Sequence, residues 1–392
     1  MPAAQGMLRN HGVRASLARL LAVAIKEQQQ LRRDRLTLAM MLFLPVLQLM
    51  LFGYAIDTDV RHIPTVVYDQ DHSELSRDLA QRLRATGFYD LNGAVSSYAE
   101  VGRALRADEA KVALVVPPQF ESDVSRGKPA QLQLVIDGSD PQTAQSALNG
   151  ASGLIQSRAA DLLQERLGRA GSGSAAAEPP ISVEPVTWYN PDLKTSTFVV
   201  PGLIGVILTM TMVMLTAMAI ARERERGTLE QLIVSPLKPA ELIVGKIVPY
   251  VLVGYVQISL ILGIGRLVFN VPFAGSLPLL YLLAFLFIAA NLALGLVFST
   301  LAQTQQQAMQ MSFFFLLPNI LLSGFMFPWE AMPRPAQLLS QVLPLTHFLR
   351  IVRGIVLKGS SFDDLRPEVL WLACILVVLT TLASTRFRKK LG

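Results

Sequence analysis

The chain has 392 residues, 52% of them hydrophobic and only 16% charged, with a net charge of +6, against roughly 25% charged in ordinary soluble domains. The charge is divided: residues 57–196 carry 13 basic and 19 acidic side chains and the remainder 22 basic and 10 acidic, so the basic excess flanks apolar runs, as in membrane proteins. No basic stripe is interleaved with aromatics, which argues against nucleic acid, and one cysteine (Cys374) with four scattered histidines (His11, His62, His72, His347) excludes an intrachain disulfide or a Cys/His metal cluster.

Residues 1–35 hold seven of the basic side chains and have apolar positions at helical spacing in "RASLARLLAVAIKEQQQLRRD". They predict an amphipathic helix on the inner membrane surface. Leu36–Ile56 follows with 21 uncharged residues, enough to cross the hydrocarbon core. Its length and the long basic leader mark a retained anchor rather than a signal peptide. Five more spans are expected: Thr197–Ile220, Leu242–Gly265, Leu277–Thr300, Ala308–Phe327 and Val369–Thr385. Basic residues before the first span, between the second and third, and after the sixth put both termini in the cytoplasm. Arg334, Arg350, Arg353, Lys358 and Arg366 sit on the other side and run against that rule.

Residues 57–196 are then expected outside. "TVVYDQD", "KVALVVPPQF" and "QLQLVID" read as strands and "HSELSRDLAQRLRATG" as a helix stopped by Gly87. Alternating strands and helices predict an α/β domain. An Asp-Pro start opens a long helix, Gln142–Leu167, with Ala144, Leu148, Ala151, Ile155, Ala159, Leu162 and Leu163 on one stripe. "GSGSAAAEPP" is a linker. No spacing of acids or bases in this domain specifies catalysis, and each of the four histidines of the chain reads as a surface or interfacial side chain.

The second span ends in "ARERERGTLEQLIVSP", residues 221–236. Arg222 with Glu225, and Glu223 with Arg226, are spaced to pair if the helix runs on past the lipid. Gly227 permits a break. Thr228 and Gln231 form a capping-box spacing around Glu230. Leu229, Leu232 and Ile233 then share one apolar face until Pro236 stops the turn. The residues encode a membrane helix, a hinge and a short surface helix with an adhesive side.

Four blocks carry a resemblance: "WYNPDLKTSTFVVPGLIGVILT" (188–209), "RERERGTLEQLIVSPLKPAELIVGK" (222–246), "LLSGFMFPWEAMP" (321–333) and "PLTHFLRIVRGIVLKG" (344–359). In their order, and in the order of one span, an insert and five spans, the chain resembles an ABC-2 type transporter permease of the drug-efflux-like branch. The resemblance implies a coupling turn, residues 222–241, whose Arg226, Gly227, Thr228, Leu229, Glu230, Gln231, Leu232, Ile233 and Pro236 seat in a separate ATPase subunit. It implies short membrane-dipping helices over 336–359, with Pro344, His347, Phe348, Arg350 and Arg353 held at the outer interface, where arginines can snorkel. It also implies a dimer, with a like or unlike permease, and ATP and Mg bound only by the ATPase. A P-loop requires G-x-x-x-x-G-K-[ST]; here Gly245-Lys246 is followed by Ile247, so the chain itself is not an ATPase by that route.

Gln48, Gln257, Asn291 and Asn319 fall within spans and Arg266 at the outer end of the third, but no Asp or Glu lies mid-span. Ion-driven transport is therefore disfavoured, and the amides are expected to bond between helices. Met210, Met214, Met218, Phe314 and Asn319 are candidates for a substrate path, because adaptable apolar faces suit varied ligands.

The expected whole is an α-helical integral membrane protein of six transmembrane helices with an α/β extracytoplasmic domain inserted after the first. Residues 1–35, 36–56, 57–196 and 197–392 form its successive parts. It would be the permease subunit of an ATP-driven exporter of amphipathic or lipophilic substrates in a bacterial inner membrane, with membrane lipids around it and a periplasmic adaptor as a further partner. The competing reading is a non-transporting receptor or scaffold, for which the cytoplasmic turn would be dispensable.

Overall fold

The computed structural model describes residues 60–170, 180–225, 227 and 239–389. The leader and the first expected span lie outside the described residues.

Among the described residues the α/β part has five strands and four helices. In chain order they are β1 (Ile63–Asp69), α1 (Glu74–Ala85), β2 (Tyr89–Ala94), α2 (Tyr98–Arg106), β3 (Val112–Val116), α3 (Phe120–Ser125), β4 (Ala130–Asp137), α4 (Pro141–Ala170) and β5 (Ile181–Trp188). The sheet order is β2-β1-β3-β4-β5; β3 and β4 are antiparallel and the other neighbours parallel. Every residue of β3 is buried, as a near-continuous apolar run requires at the centre of a sheet covered on both faces.

The expected strands and the helix stopped by Gly87 are present. Ser73 accepts from Ser76 N to cap α1, and Gly87 has φ +72. Two strands and helices α2 and α3 went unread. "YDLNGA" in β2 has turn-forming residues, and β5 contains Pro185. Proline lacks a ladder donor and is confined to edges, and β5 is an edge strand.

The stripe expected on α4 is the face it buries: Ala144, Ala151 and Ile155 are in the domain core with Ala147; Leu148 and Leu162 pack against it, and Ala159 is buried. Asp140 caps this helix, accepting from Gln142 N at 3.0 Å and from Thr143 Oγ1 at 3.1 Å.

After β5, Asn190 bonds Lys194 through both its amide atoms and bends the chain into α5 (Thr195–Glu225). The other long helices are α6 (Pro239–Phe269), α7 (Leu277–Leu301), α8 (Gln305–Leu322) and α11 (Arg366–Lys389). Between α8 and α11 lie a 3-10 turn (Trp329–Ala331), α9 (Arg334–Ser340), α10 (Pro344–Arg353) and a π-helical turn (Gly354–Lys358). Among the described residues four helices are long and apolar enough to cross a membrane: those of α5, α6, α7 and α11. The segment expected to span at Ala308–Phe327 forms the 18-residue α8, which opens on three glutamines and stops at Leu322, before Gly324 at φ +84.

Helix α7 is the hub, packed on α5, α6, α8, α10 and α11. A Cβ at Gly295 would lie 2.7 Å from the Val213 carbonyl oxygen, so only glycine allows α5 and α7 to approach this closely. Phe287 of α7 stacks on Phe348 of α10 with ring centroids 4.0 Å apart.

Candidate functional site

A dense polar assembly lies where the α/β part meets α10 and the π-turn. Lys358, last residue of that turn, is 4% exposed at its side chain. Its Nζ lies 2.6 Å from Asp137 Oδ2 at the end of β4 and 2.8 Å from Asp108 Oδ1 after α2, and it donates to the Leu105 carbonyl at 3.0 Å. Beside it, Ser360 Oγ donates to the Arg106 carbonyl at 2.9 Å. On the sheet side, Lys111 Nζ is 2.6 Å from Asp108 Oδ1 and 3.9 Å from both Asp137 and Glu330.

Charges removed from water must be compensated, and here they compensate one another. Burial alone would raise the Asp108 carboxyl, but Lys111, Lys358 and Arg350 outweigh it and hold the group well below the usual aspartate value. Burial likewise opposes charge on Lys111, yet Asp108, Glu330 and Asp137 push it above an ordinary lysine. At Glu330 burial prevails over the pull of Lys111, and its carboxyl is raised.

The outer residues named from the sequence converge here. Pro344 occupies the first turn of α10, and His347 and Phe348 are buried at 0% exposure. His347 Nδ1 lies 2.5 Å from Glu368 Oε2, its Nε2 donates to the Gln341 carbonyl, and its ring stacks on Trp371. His347 was expected as a surface or interfacial side chain; it is instead fully buried between α10 and α11, with Glu368 and Trp371 of α11 against its ring. Arg350 donates to Glu368 at 2.9 Å and sits over the Trp329 ring. Arg353 lies 3.7 Å above the Phe198 ring centroid and donates to the Gly324 carbonyl. Neither arginine snorkels; each is held inward by an acid, an aromatic face or a carbonyl. Of the five basic residues that ran against the orientation rule, Arg350 and Lys358 are paired with acids inside the fold and Arg353 lies on an aromatic face, whereas Arg334 and Arg366 are exposed.

At the opposite end of α5, Glu225 accepts from Gln305 N at 3.0 Å and from Gln305 Nε2 at 2.6 Å, while Arg222 Nε donates to Gln305 Oε1 at 3.1 Å. Arg224 donates to the Ser299 and Ala302 carbonyls at the end of α7. The last turn of α5 is thus clasped to the α7–α8 connection. Gly227 follows, exposed at φ +67 with its N–H bonded to the Arg224 carbonyl, a left-handed helix stop. Arg226 and the surface-helix residues Thr228, Leu229, Glu230, Gln231, Leu232, Ile233 and Pro236 lie outside the described residues.

The substrate-path candidates lie on two adjoining helices. Met210 is exposed on α5; Met214, Met218 and Phe314 are half-buried; Asn319 of α8 is buried, with neither amide atom bonded among the described residues. Of the other span amides, Gln257 accepts from Thr211 across the α5–α6 contact, whereas Asn291 donates to Phe287 in its own helix. No group of His, Cys, Asp and Glu suited to a metal ion occurs among the described residues.

Residues 35–385 match the family of ABC-2 family transporter proteins. The chain is 33% identical over 374 residues to a "Probable multidrug ABC transporter permease YbhR" of Escherichia coli, covering 95% of this chain and 99% of that protein. It is 30% identical over 380 residues to "Inner membrane transport permease YhhJ" of the same organism, covering 96% and 98%. "ABC transporter G family member 20" of Dictyostelium discoideum is 24% identical over 369 residues, 92% of this chain and 49% of that protein.

Proposed function

This chain belongs to the ABC-2 transporter family, and on that premise we propose how its parts serve an ABC exporter as the membrane permease. Six helices span the inner membrane, with both termini in the cytoplasm. The five-stranded domain faces outward. The turn beginning at Gly227 seats through Leu229, Leu232 and Ile233 in a separate ATPase subunit, which binds ATP and Mg; the permease contributes no nucleotide site. A second permease, like or unlike, completes the complex, and a periplasmic adaptor is received by the outer domain. Substrates are amphipathic or lipophilic compounds, a reading supported by the word multidrug in the relative's name and by the methionine-rich face of α5.

The observation that supports this mechanism best is the clasp of Glu225 and Arg222 on Gln305. Motion delivered at Gly227 reaches α5 and, through Gln305, the start of α8 together. Helix α5 is also continuous with β5 through the Asn190 bend, and the Lys358 cluster fastens the outer domain to the segment behind α10. A push at one end would therefore be carried to both ends of the bundle.

The test is reconstitution. Proteoliposomes holding the permease and its ATPase should move a lipophilic cationic dye only with hydrolysable ATP. Equal movement without the ATPase would refute the reading.

A further inference from the structure

Arg266 is exposed in the last turn of α6 and makes no hydrogen bond or ion pair among the described residues. It stands at the rim of a cavity of about 450 Å³ between α5, α6, α7 and the π-turn. Val200, Leu262, Val271, Phe273 and Val356 supply apolar walls. Ser259, Leu262, Gly263 and Arg266 recur at i, i+3, i+4 and i+7, which places them on one face of α6. Seven residues separate Ser259 from Arg266, about 10 Å along the helix.

The two ends of this stripe differ in what they demand of a ligand. At the far end Ser259 Oγ donates to the Tyr255 carbonyl at 2.8 Å and lies 2.5 Å from Tyr281 OH. Those hydroxyls are satisfied, so a hydrocarbon chain can lie beside them at no cost in lost hydrogen bonds. At the near end Arg266 is, among the described residues, the one charged group lining the cavity, and its guanidinium asks for an anion. The crossing segment is held in place: Val271 N donates to the Gly265 carbonyl and Ala274 N to the Val356 carbonyl. The cavity is thus part of the built fold. Among the described residues the Gly263 position faces open space, with no atom within 4 Å of a Cβ added there.

We propose that this cavity is a lateral binding site for an anionic amphiphile taken from the surrounding leaflet. Its phosphate or carboxylate head pairs with Arg266, and its acyl chain runs along Leu262 and Gly263 toward Ser259. The head lies at the end of the bundle that carries the five-stranded domain, because the Arg266 end is tied through Val356 to the turn that ends in Lys358. The site is distinct from the α5–α8 face named above as a substrate path, and it stands whether or not the ligand is transported.

The experiment is native mass spectrometry of the purified full chain with phosphatidylglycerol, phosphatidylcholine or palmitate, each offered alone. The wild type should retain one molecule of an anionic amphiphile about fivefold better than phosphatidylcholine, as expected for one basic residue at a membrane surface. Arg266→Gln should abolish that preference. Gly263→Trp, which fills the open space, should expel the ligand with little change in melting temperature. Palmitate retained over phosphatidylglycerol would make the ligand a carboxylate, and the reverse a phospholipid. Equal retention of neutral and anionic lipids, or retention unchanged in both variants, would overturn the site.

Discussion

Lys358 Nζ lies 2.6 Å from Asp137 Oδ2, and the two side chains are 4% and 0% exposed. The pair joins residues 221 positions apart, from the π-turn behind α10 to the end of β4. Lys358→Met leaves Asp137 buried without its nearest cation, a change that costs about 3–5 kcal/mol for a broken buried pair. The expected outcome is a large drop in the unfolding midpoint of the purified chain. Adding Asp137→Leu should restore much of it, since replacing both charges removes the uncompensated one. A single variant as stable as the wild type would show that the pair does not hold the junction.

Glu330 supplies the pH dependence. Its carboxyl is raised by burial, so the folded chain binds a proton that the unfolded chain releases earlier. Stability from this group is therefore lost as pH rises from the ordinary glutamate value through the folded one. Glu330→Gln should stabilise the chain relative to wild type above that window and bring no gain below it. Asp108 acts in the opposite sense: its depressed value contributes stability above the ordinary aspartate range that is lost as pH falls. Unfolding midpoints from about pH 2 to about 9 separate the two, and a gain from Glu330→Gln only at the acid end would contradict the assignment.

Gln305 links α5 to the α7–α8 connection by three side-chain and backbone bonds. Gln305→Ala removes the two side-chain bonds at an exposed site, which costs only about 1–2 kcal/mol of stability. Its effect should fall instead on ATP-dependent transport, lowered several-fold while the permease still co-purifies with its ATPase. Transport at the wild-type rate would mean that the clasp transmits nothing.

Two glycines should respond in opposite directions. Gly295→Val drives a side chain into the Val213 backbone and should cost about 1–3 kcal/mol by overpacking. Gly153→Ala meets nothing within 4 Å on an exposed helical position of α4 and should stabilise by up to about 1 kcal/mol. Thermal unfolding in detergent reads both.

Features set by local pattern were legible in the sequence. The apolar runs of α5, α6, α7 and α11, the cap at Asp140 and the buried stripe of α4 follow from periodicity and capping residues alone. So does the helix stop at Gly227. The Lys358–Asp137–Asp108–Lys111 cluster was not legible, because each member looks like an ordinary polar residue beside a strand or turn, and only the fold brings them together. His347 was misjudged for the same reason: its partner Glu368 stands 21 residues away at the start of another helix. The strands β2 and β5 were missed because Asn92-Gly93 and Pro185 read as turn formers, whereas pairing with β1 and β4 overrides that preference. Arg266 was noticed as a charge at the end of a span, but the cavity beside it depends on three other elements.

In the proposed mechanism energy enters through the turn after Gly227. The direct measurement is ATP-dependent transport and ATPase co-purification by a Leu229→Asp, Leu232→Asp double variant of the full chain. Loss of both is expected, with the unfolding midpoint of the permease unchanged. Wild-type association together with wild-type ATP-dependent transport would contradict it.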